Sequence, residues 1–142
     1  MIKMIVLIKR NPALTREEFD EHWRHVHARL VRELPEVSSC MQRYVQNYMI
    51  AGAEQASDEF GDVGLPTDDL DFDGIMEAHF ASMDDMTRMT SSESYLSFIR
   101  PDEEHLVDAA RSKVYLTEEY VVVDSDRRPP GEAAAHGHEE AV

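Results

Sequence analysis

His27 is the residue of this chain best placed to do chemistry. It lies in Leu14 to Pro35, LTREEFDEHWRHVHARLVRELP, four positions after Trp23 and three before Leu30. At 3.6 residues per turn, Phe19, Trp23, Val26, Leu30 and Leu34 form one apolar stripe, and His27 projects from its edge. His25 points to the opposite side and His22 lies on the shoulder. Imidazole titrates near neutral pH, so a pocket position beside Trp23 suits proton transfer. A core histidine tied to a backbone carbonyl fits the same spacing. A second group of polar-tipped side chains lies in Val37 to Ile50, VSSCMQRYVQNYMI, where a period of two sets Tyr44, Gln46 and Tyr48 on one face. Strand aromatics of this kind also serve as ordinary core.

The helix that carries His27 is marked at both ends. Thr15 and Glu18 have the spacing of a capping box, Leu14 and Phe19 that of a hydrophobic staple, and Pro35 supplies a stop. Before it, MIKMIVLIKRNP reads as a strand buried on both sides. After it, Val37 to Ile50 reads as a second strand and Gly74 to Phe80, GIMEAHF, as a third. Ser82 can cap a short helix through Asp85 to Met89. A longer helical region from Ser92 to about Ser112 turns Tyr95, Leu96, Ile99, Leu106, Val107 and Ala110 inward, and Pro101 must interrupt or restart it. Lys113 to Asp124, KVYLTEEYVVVD, is the last strand.

Between the second and third strands, residues 51–73 carry eight carboxylates and no Lys or Arg, punctuated by Gly and Pro, and read as a long acidic inserted loop. Asp69, Asp71, Asp73 and Gly74 imitate the opening of a calcium loop, but its twelfth position is Phe80 rather than Glu, so no calcium site is expected. Residues 125–142, rich in Pro, Gly, Ala and Glu, read as a disordered tail. His136 and His138 there are too few for a closed metal site, and no metal is expected anywhere in the chain.

At 142 residues the chain makes one domain, residues 1–124, with an ordinary core. The single cysteine, Cys40, excludes an internal disulfide framework and fits a reducing cytoplasm. No secretory leader pattern or membrane-length apolar run is present. A net charge of -15 repels phosphate backbones and anionic membranes, so neither nucleic acid nor membrane is an expected partner.

The succession is β-α-β-β-α-β, the ferredoxin-like split unit of the α+β class: a four-stranded antiparallel sheet with both helices on one face. Ile5, Leu7, Val45 and Ile75 leave the other face apolar. A second copy is its simplest cover, which predicts a two-fold homodimer, a dimeric α/β barrel. On this face His79 accompanies Glu77, where a structural Glu–His contact is expected.

IKMIVLIKRNPALTREEFDEHWRHVHARLVRELP, RYVQNY, EAHFAS and LTEEYVVV together resemble the EthD-like family of the dimeric α/β-barrel superfamily. The resemblance spans about residues 1–124 apart from the acidic insertion. The family commonly has H-A-P-L where this chain has His27-Ala28-Arg29-Leu30, so Arg29 replaces a proline and puts a cation at the rim. The resemblance implies a pocket between sheet and helices in each subunit and no organic cofactor. In the family's methylmuconolactone isomerases a helix histidine and a second-strand tyrosine belong to the active site, matching His27 and Tyr44. Their third-strand cysteine is Ala78 here, which cannot act as nucleophile or acid.

On this reading the chain is a cofactor-independent enzyme for an aromatic, polyketide-like or lactone small molecule. His27 abstracts a proton next to a carbonyl, and the Tyr44 hydroxyl holds the developing enolate oxygen. Trp23, Leu30, Tyr48 and Ala78 shape the substrate pocket. Isomerase, dehydratase and cyclase chemistry all fit. Two alternatives stand beside it: cofactor-free oxygenation of a phenol, and a small-molecule binding or accessory protein without turnover.

Overall fold

The computed structural model describes residues 1–50 and 72–127. The acidic loop over 51–71 and the tail over 128–142 lie outside the described residues. Strand β1 (Ile2–Ile8) is followed by α1 (Arg16–His22), a π-helical turn (Trp23–His27) and α2 (Ala28–Glu33), which run on as one helix. A short α3 (Pro35–Ser38) leads to β2 (Arg43–Tyr48) and β3 (Gly74–Phe80). Helix α4 (Met83–Ser91), a second π turn (Tyr95–Ile99), α5 (Arg100–Leu106) and β4 (Lys113–Glu118) complete the domain. The strands form one antiparallel sheet in the order β2-β3-β1-β4. This is the ferredoxin-like α+β arrangement expected from the chain.

The start of the long helix obeys its sequence signals. Glu18 N–H donates to Thr15 Oγ1 at 3.1 Å, and Thr15 N–H donates to Glu18 Oε1 at 3.0 Å. Ser82 caps α4 by accepting from Asp85 N–H at 3.2 Å. The helix phase, however, departs from a plain 3.6-residue period. Ala28 N–H donates to Trp23 O, five residues back, and Arg100 N–H does the same to Tyr95 O. Each π turn inserts one residue and rotates the helix beyond it. The buried line therefore runs Phe19, Trp23, His27, Val31, while Val26 is 44% exposed. On the second helix Tyr95 and Ile99 are buried, but Leu96, expected inward, is 51% exposed, and Ala110 is exposed as well. Pro101, with no N–H to return to the preceding turn, sits where the second π turn passes into α5.

Three other boundaries differ from expectation. Pro35 stops the long helix but starts α3, its fixed φ suiting a first helical position. Strand β2 consequently begins at Arg43 rather than Val37. Strand β4 ends at Glu118, leaving Tyr120 to Val123 outside the sheet and exposed. Ser125–Arg127, the first residues of the expected tail, form a single 3-10 turn.

Asp73, by composition the last member of the acidic insertion, is 2% exposed and structural. Its carboxylate accepts from the Arg10 backbone N–H at 2.9 Å and pairs with the Arg10 guanidinium, with Arg16 at 3.6 Å. Its own N–H donates to Ile8 O at 2.7 Å, which ties the start of β3 to the end of β1. The next residue, Gly74, lies under the Trp23 indole. A Cβ there would meet Trp23 Cζ3 at 2.7 Å and Cη2 at 2.9 Å, so the close seating of the indole requires glycine. The opposite sheet face carries Ile5, Leu7, Val45 and Ile75 beside a polar group of Lys3, Glu77 and Glu119, with Lys3 Nζ 3.2 Å from Glu77. His79 is 5% exposed, and its Nε2 lies 4.0 Å from Glu77, an ion-pair distance rather than a hydrogen bond.

Gly74→Ala should lower stability by about 1–3 kcal/mol through overpacking against Trp23. Urea titration checks this. A midpoint equal to that of the parent protein would mean that the indole is free to move.

Candidate active site

The π turn Trp23–His27 and helix α5 meet over the helix-covered face of the sheet. Trp23 is anchored by three contacts. Gly74 lies beneath it, the Phe19 ring is 5.4 Å away and the Tyr48 ring 4.8 Å. Its carbonyl accepts from Ala28 N–H and from Gln46 Nε2 at 2.9 Å, so β2 holds the widened turn in place. Four residues on, His27 is 6% exposed, and its Nδ1 lies 2.8 Å from Asp102 Oδ2. The other oxygen of the same carboxylate lies 2.6 Å from His22 Nε2. His22 in turn packs on His105 with ring centroids 4.9 Å apart.

The state of Asp102 is set by these partners. Burial pushes its carboxyl up, but the hydrogen bonds from His27 and His22, with their charge, outweigh burial and hold it below the ordinary value of 3.8. An ionised carboxylate only accepts, so the proton of a neutral His27 sits on Nδ1. Nε2 is left with a lone pair and makes no hydrogen bond among the described residues. A carboxylate that fixes tautomer and ring orientation is what a histidine base requires.

His27 lines a cavity of about 530 Å³ between sheet and helices. Met4, Val6, Ile8, Met76, Ala78 and Val114 form its floor, and Trp23, Val31, Ile99 and Leu106 its roof. Its polar lining comprises His27, Tyr44, Tyr95, Arg100, Glu103, Glu104 and Ser112. Burial pushes the Tyr44 phenol up to about 12, against lowering by Gln46 and Trp23. Tyr44 thus keeps its proton at neutral pH and can donate a hydrogen bond, but is no base. Ala78, 1% exposed, offers neither nucleophile nor acid at the place it occupies. Cys40 is buried away from the cavity, with its Sγ 3.3 Å from Glu36 O.

Of the residues singled out from the sequence, the fold brings His27, Tyr44, Trp23 and Ala78 to one cavity. Leu30 and Tyr48 do not line it. The π turn rotates Leu30 off the cavity line, and it packs against the core cluster that includes Val31 and Val37. Tyr48 faces a neighbouring groove, with the Arg24 guanidinium 4.3 Å over its ring and its hydroxyl donating to Gln46 Oε1 at 2.6 Å. Asp102 and Glu103 are site residues that sequence reasoning misses. In Arg100-Pro101-Asp102-Glu103 two acids come after a proline, which reads as ordinary first-turn composition. Nothing local pairs Asp102 with His22 and His27, 80 and 75 positions earlier. Among the described residues no group of three or more His, Cys, Asp or Glu could hold a metal ion, and no helix is long and apolar enough to cross a membrane.

Fold and cavity together define a ferredoxin-like α+β domain with an internal pocket facing its helices. The sequence pattern of the EthD domain matches residues 11–110, and the chain belongs to the EthD family. Its fold is similar to that of an EthD-family protein from Bacillus halodurans, with 17% identity over 84% of this chain and 99% of that one and a TM-score of 0.58. A Dabb-family protein with a ferredoxin-like fold from Mesorhizobium loti is 10% identical, with 84% and 97% covered and a TM-score of 0.56. A dimeric ferredoxin-like protein of unknown function from Bacteroides fragilis is 13% identical, with 83% and 95% covered and a TM-score of 0.55. No curated protein matches the chain.

The Asp102 contacts carry a pH signature. Its folded value lies below 3.8, so its stabilisation is complete above that value and is lost as pH falls through the folded value. Asp102→Asn keeps one acceptor oxygen and should cost about 1–3 kcal/mol. Urea melts should show this difference shrinking as pH falls through the ordinary carboxylate range. A difference independent of pH throughout would rule out an ionised Asp102.

Proposed function

We propose that this EthD-family protein is a cofactor-independent acid/base enzyme acting on a small ring compound with a carbonyl, of aromatic, polyketide-like or lactone type. One observation carries the reading: Asp102 holds His27 by Nδ1 and leaves Nε2 to an apolar cavity that Tyr44 shares. His27 Nε2 removes a proton from the carbon beside the carbonyl. The Tyr44 hydroxyl then donates to the oxygen on which negative charge gathers. Asp102 stays ionised and stabilises the imidazolium that forms. The cavity falls within the range of roughly 300–1,000 Å³ usual for small-molecule sites, and its apolar walls suit a ring while strengthening the polar contacts.

The reading includes a cytoplasmic homodimer. Ile5, Leu7, Val45 and Ile75 form an apolar sheet face, and Tyr120 to Val123 are exposed beyond β4. A second copy covers both, as in the Bacteroides fragilis protein described as dimeric. The lone buried cysteine suits a reducing compartment.

The experiment is proton exchange. His27→Gln preserves a neutral hydrogen bond but cannot shuttle a proton near pH 7. It should lower exchange of the α-hydrogens of a cyclic ketone into D2O by about 10²–10⁴-fold, with an unchanged melting curve. Full exchange in the variant would reject the acid/base role, and ketone binding without exchange in the parent protein would mark a binding protein instead. Light scattering should give a dimer at micromolar concentration, and a stable monomer would sink the assembly.

A further inference from the structure

The Asp102–His27 pair supplies one proton-transfer group, and a second titratable pair faces the same cavity. Glu103 and Tyr95 both line it, and the Tyr95 hydroxyl donates to Glu103 Oε1 at 2.6 Å. Tyr95 is buried. Burial first, and then the charge of Glu103, hold its phenol well above its usual range, so it remains a donor. The surroundings of Glu103 comprise His27, Arg100, Asp102 and Tyr95. Burial pushes its carboxyl up, Tyr95, His27 and Arg100 pull it down, Asp102 raises it, and the balance lies above the ordinary value of 4.5. Asp102 and Glu103 are consecutive, yet one is bound to two imidazoles and held low while the other is bound to a phenol and held high. Two carboxyls whose environments separate them in this way divide into an orienting anion and a proton carrier. Because Tyr95 donates to Oε1, Oε2 is the oxygen open to a proton.

We propose that Glu103, positioned by Tyr95, is the second proton-transfer group of the cavity, giving a proton to a substrate that has lost one to His27. The proposal rests on the reading of His27 above and narrows the reaction to a proton-shift isomerisation of an unsaturated ketone or lactone. His27 Nε2 takes a proton from the carbon between the carbonyl and the double bond. The C–H electron pair enters a dienolate, whose oxygen Tyr44 holds. The far carbon of the dienolate takes the proton from Glu103 Oε2, which forms a new C–H bond and brings the double bond into conjugation. The imidazolium then returns its proton to the Glu103 carboxylate, so no proton, electron or co-reactant is left over.

The probe is cyclohex-3-enone in D2O with the full chain. Exchange of its α-hydrogens, monitored by NMR, needs His27 alone. Formation of the conjugated ketone, monitored by ultraviolet absorbance, needs both groups. Glu103→Gln keeps an acceptor for Tyr95 and should retain exchange while product formation falls by about 10²–10³-fold. Product formation at the parent rate in Glu103→Gln overturns this proposal alone. Exchange that survives in His27→Gln, or is absent from the parent protein, overturns the reading of His27 and this proposal with it. A measurement without substrate stands beside these. The infrared carboxylic-acid band lost in Glu103→Gln should be present in the parent protein at a pH where glutamate is normally ionised, and Tyr95→Phe should shift it. A Glu103 carboxyl ionised over its ordinary range, or a band indifferent to Tyr95→Phe, overturns the assignment.

Discussion

The carboxylate of Asp102 is the contact on which the site depends. It enters from α5 and accepts from two imidazoles on the long N-terminal helix, at 2.6 Å from His22 and 2.8 Å from His27. Taking a carboxylate out of water is unfavourable, and two charge-assisted hydrogen bonds more than offset that cost, as its lowered proton affinity records. The same contact joins the two helices and sets the ring of His27. Without it the imidazole keeps its place in the helix but has no reason to hold one tautomer.

The π turns make this meeting possible. Each adds one residue to a helix, and each lies over the cavity, one carrying Trp23 and His27, the other Tyr95 and Ile99. A regular α-helix from Arg16 onward would turn Val26 toward the sheet and leave His27 at the margin. The widened turn reverses that choice. The sheet supports it from below, through Gly74, which lets the indole descend, and Gln46, which holds the Trp23 carbonyl. Insertions of this kind concentrate at functional sites because they re-aim a side chain without ending the helix.

Charge is distributed with the same economy. The chain carries a net -15, yet among the described residues buried Asp73 pairs with Arg10 and Arg16, and half-buried Asp102 with two histidines. The three fold neighbours named above share 10% to 17% identity with this chain and superpose with TM-scores of 0.55 to 0.58, which shows a common fold and no more. What belongs to this chain is the set of side chains at the cavity, and its function is argued from them.

Much of the fold is legible in the chain. Binary patterns, Thr15 and Ser82 as caps and the order of elements lead to the β-α-β-β-α-β sheet, and β3 keeps its expected bounds at Gly74–Phe80. These are local signals, written over a few residues, and they hold because neighbouring side chains and backbone groups satisfy one another on the spot. That His27, Trp23, Tyr44 and Ala78 face inward together is legible for the same reason, with family resemblance to choose among the inward residues. Leu30 and Tyr48 fall outside the cavity because a 3.6-residue period and a two-residue period describe ideal elements. The π turn rotates the helix beyond Trp23, and Tyr48 lies at the end of its strand, against Arg24. Asp102 is invisible as a partner of His27, since that contact depends on where α5 lands once the sheet has brought the helices together, and Glu103 meets Tyr95, eight residues earlier, across the second π turn. The sequence by itself determined the elements and the histidine. Tertiary structure decided which carboxylate would orient it, because that pairing depends on distances that no local pattern contains.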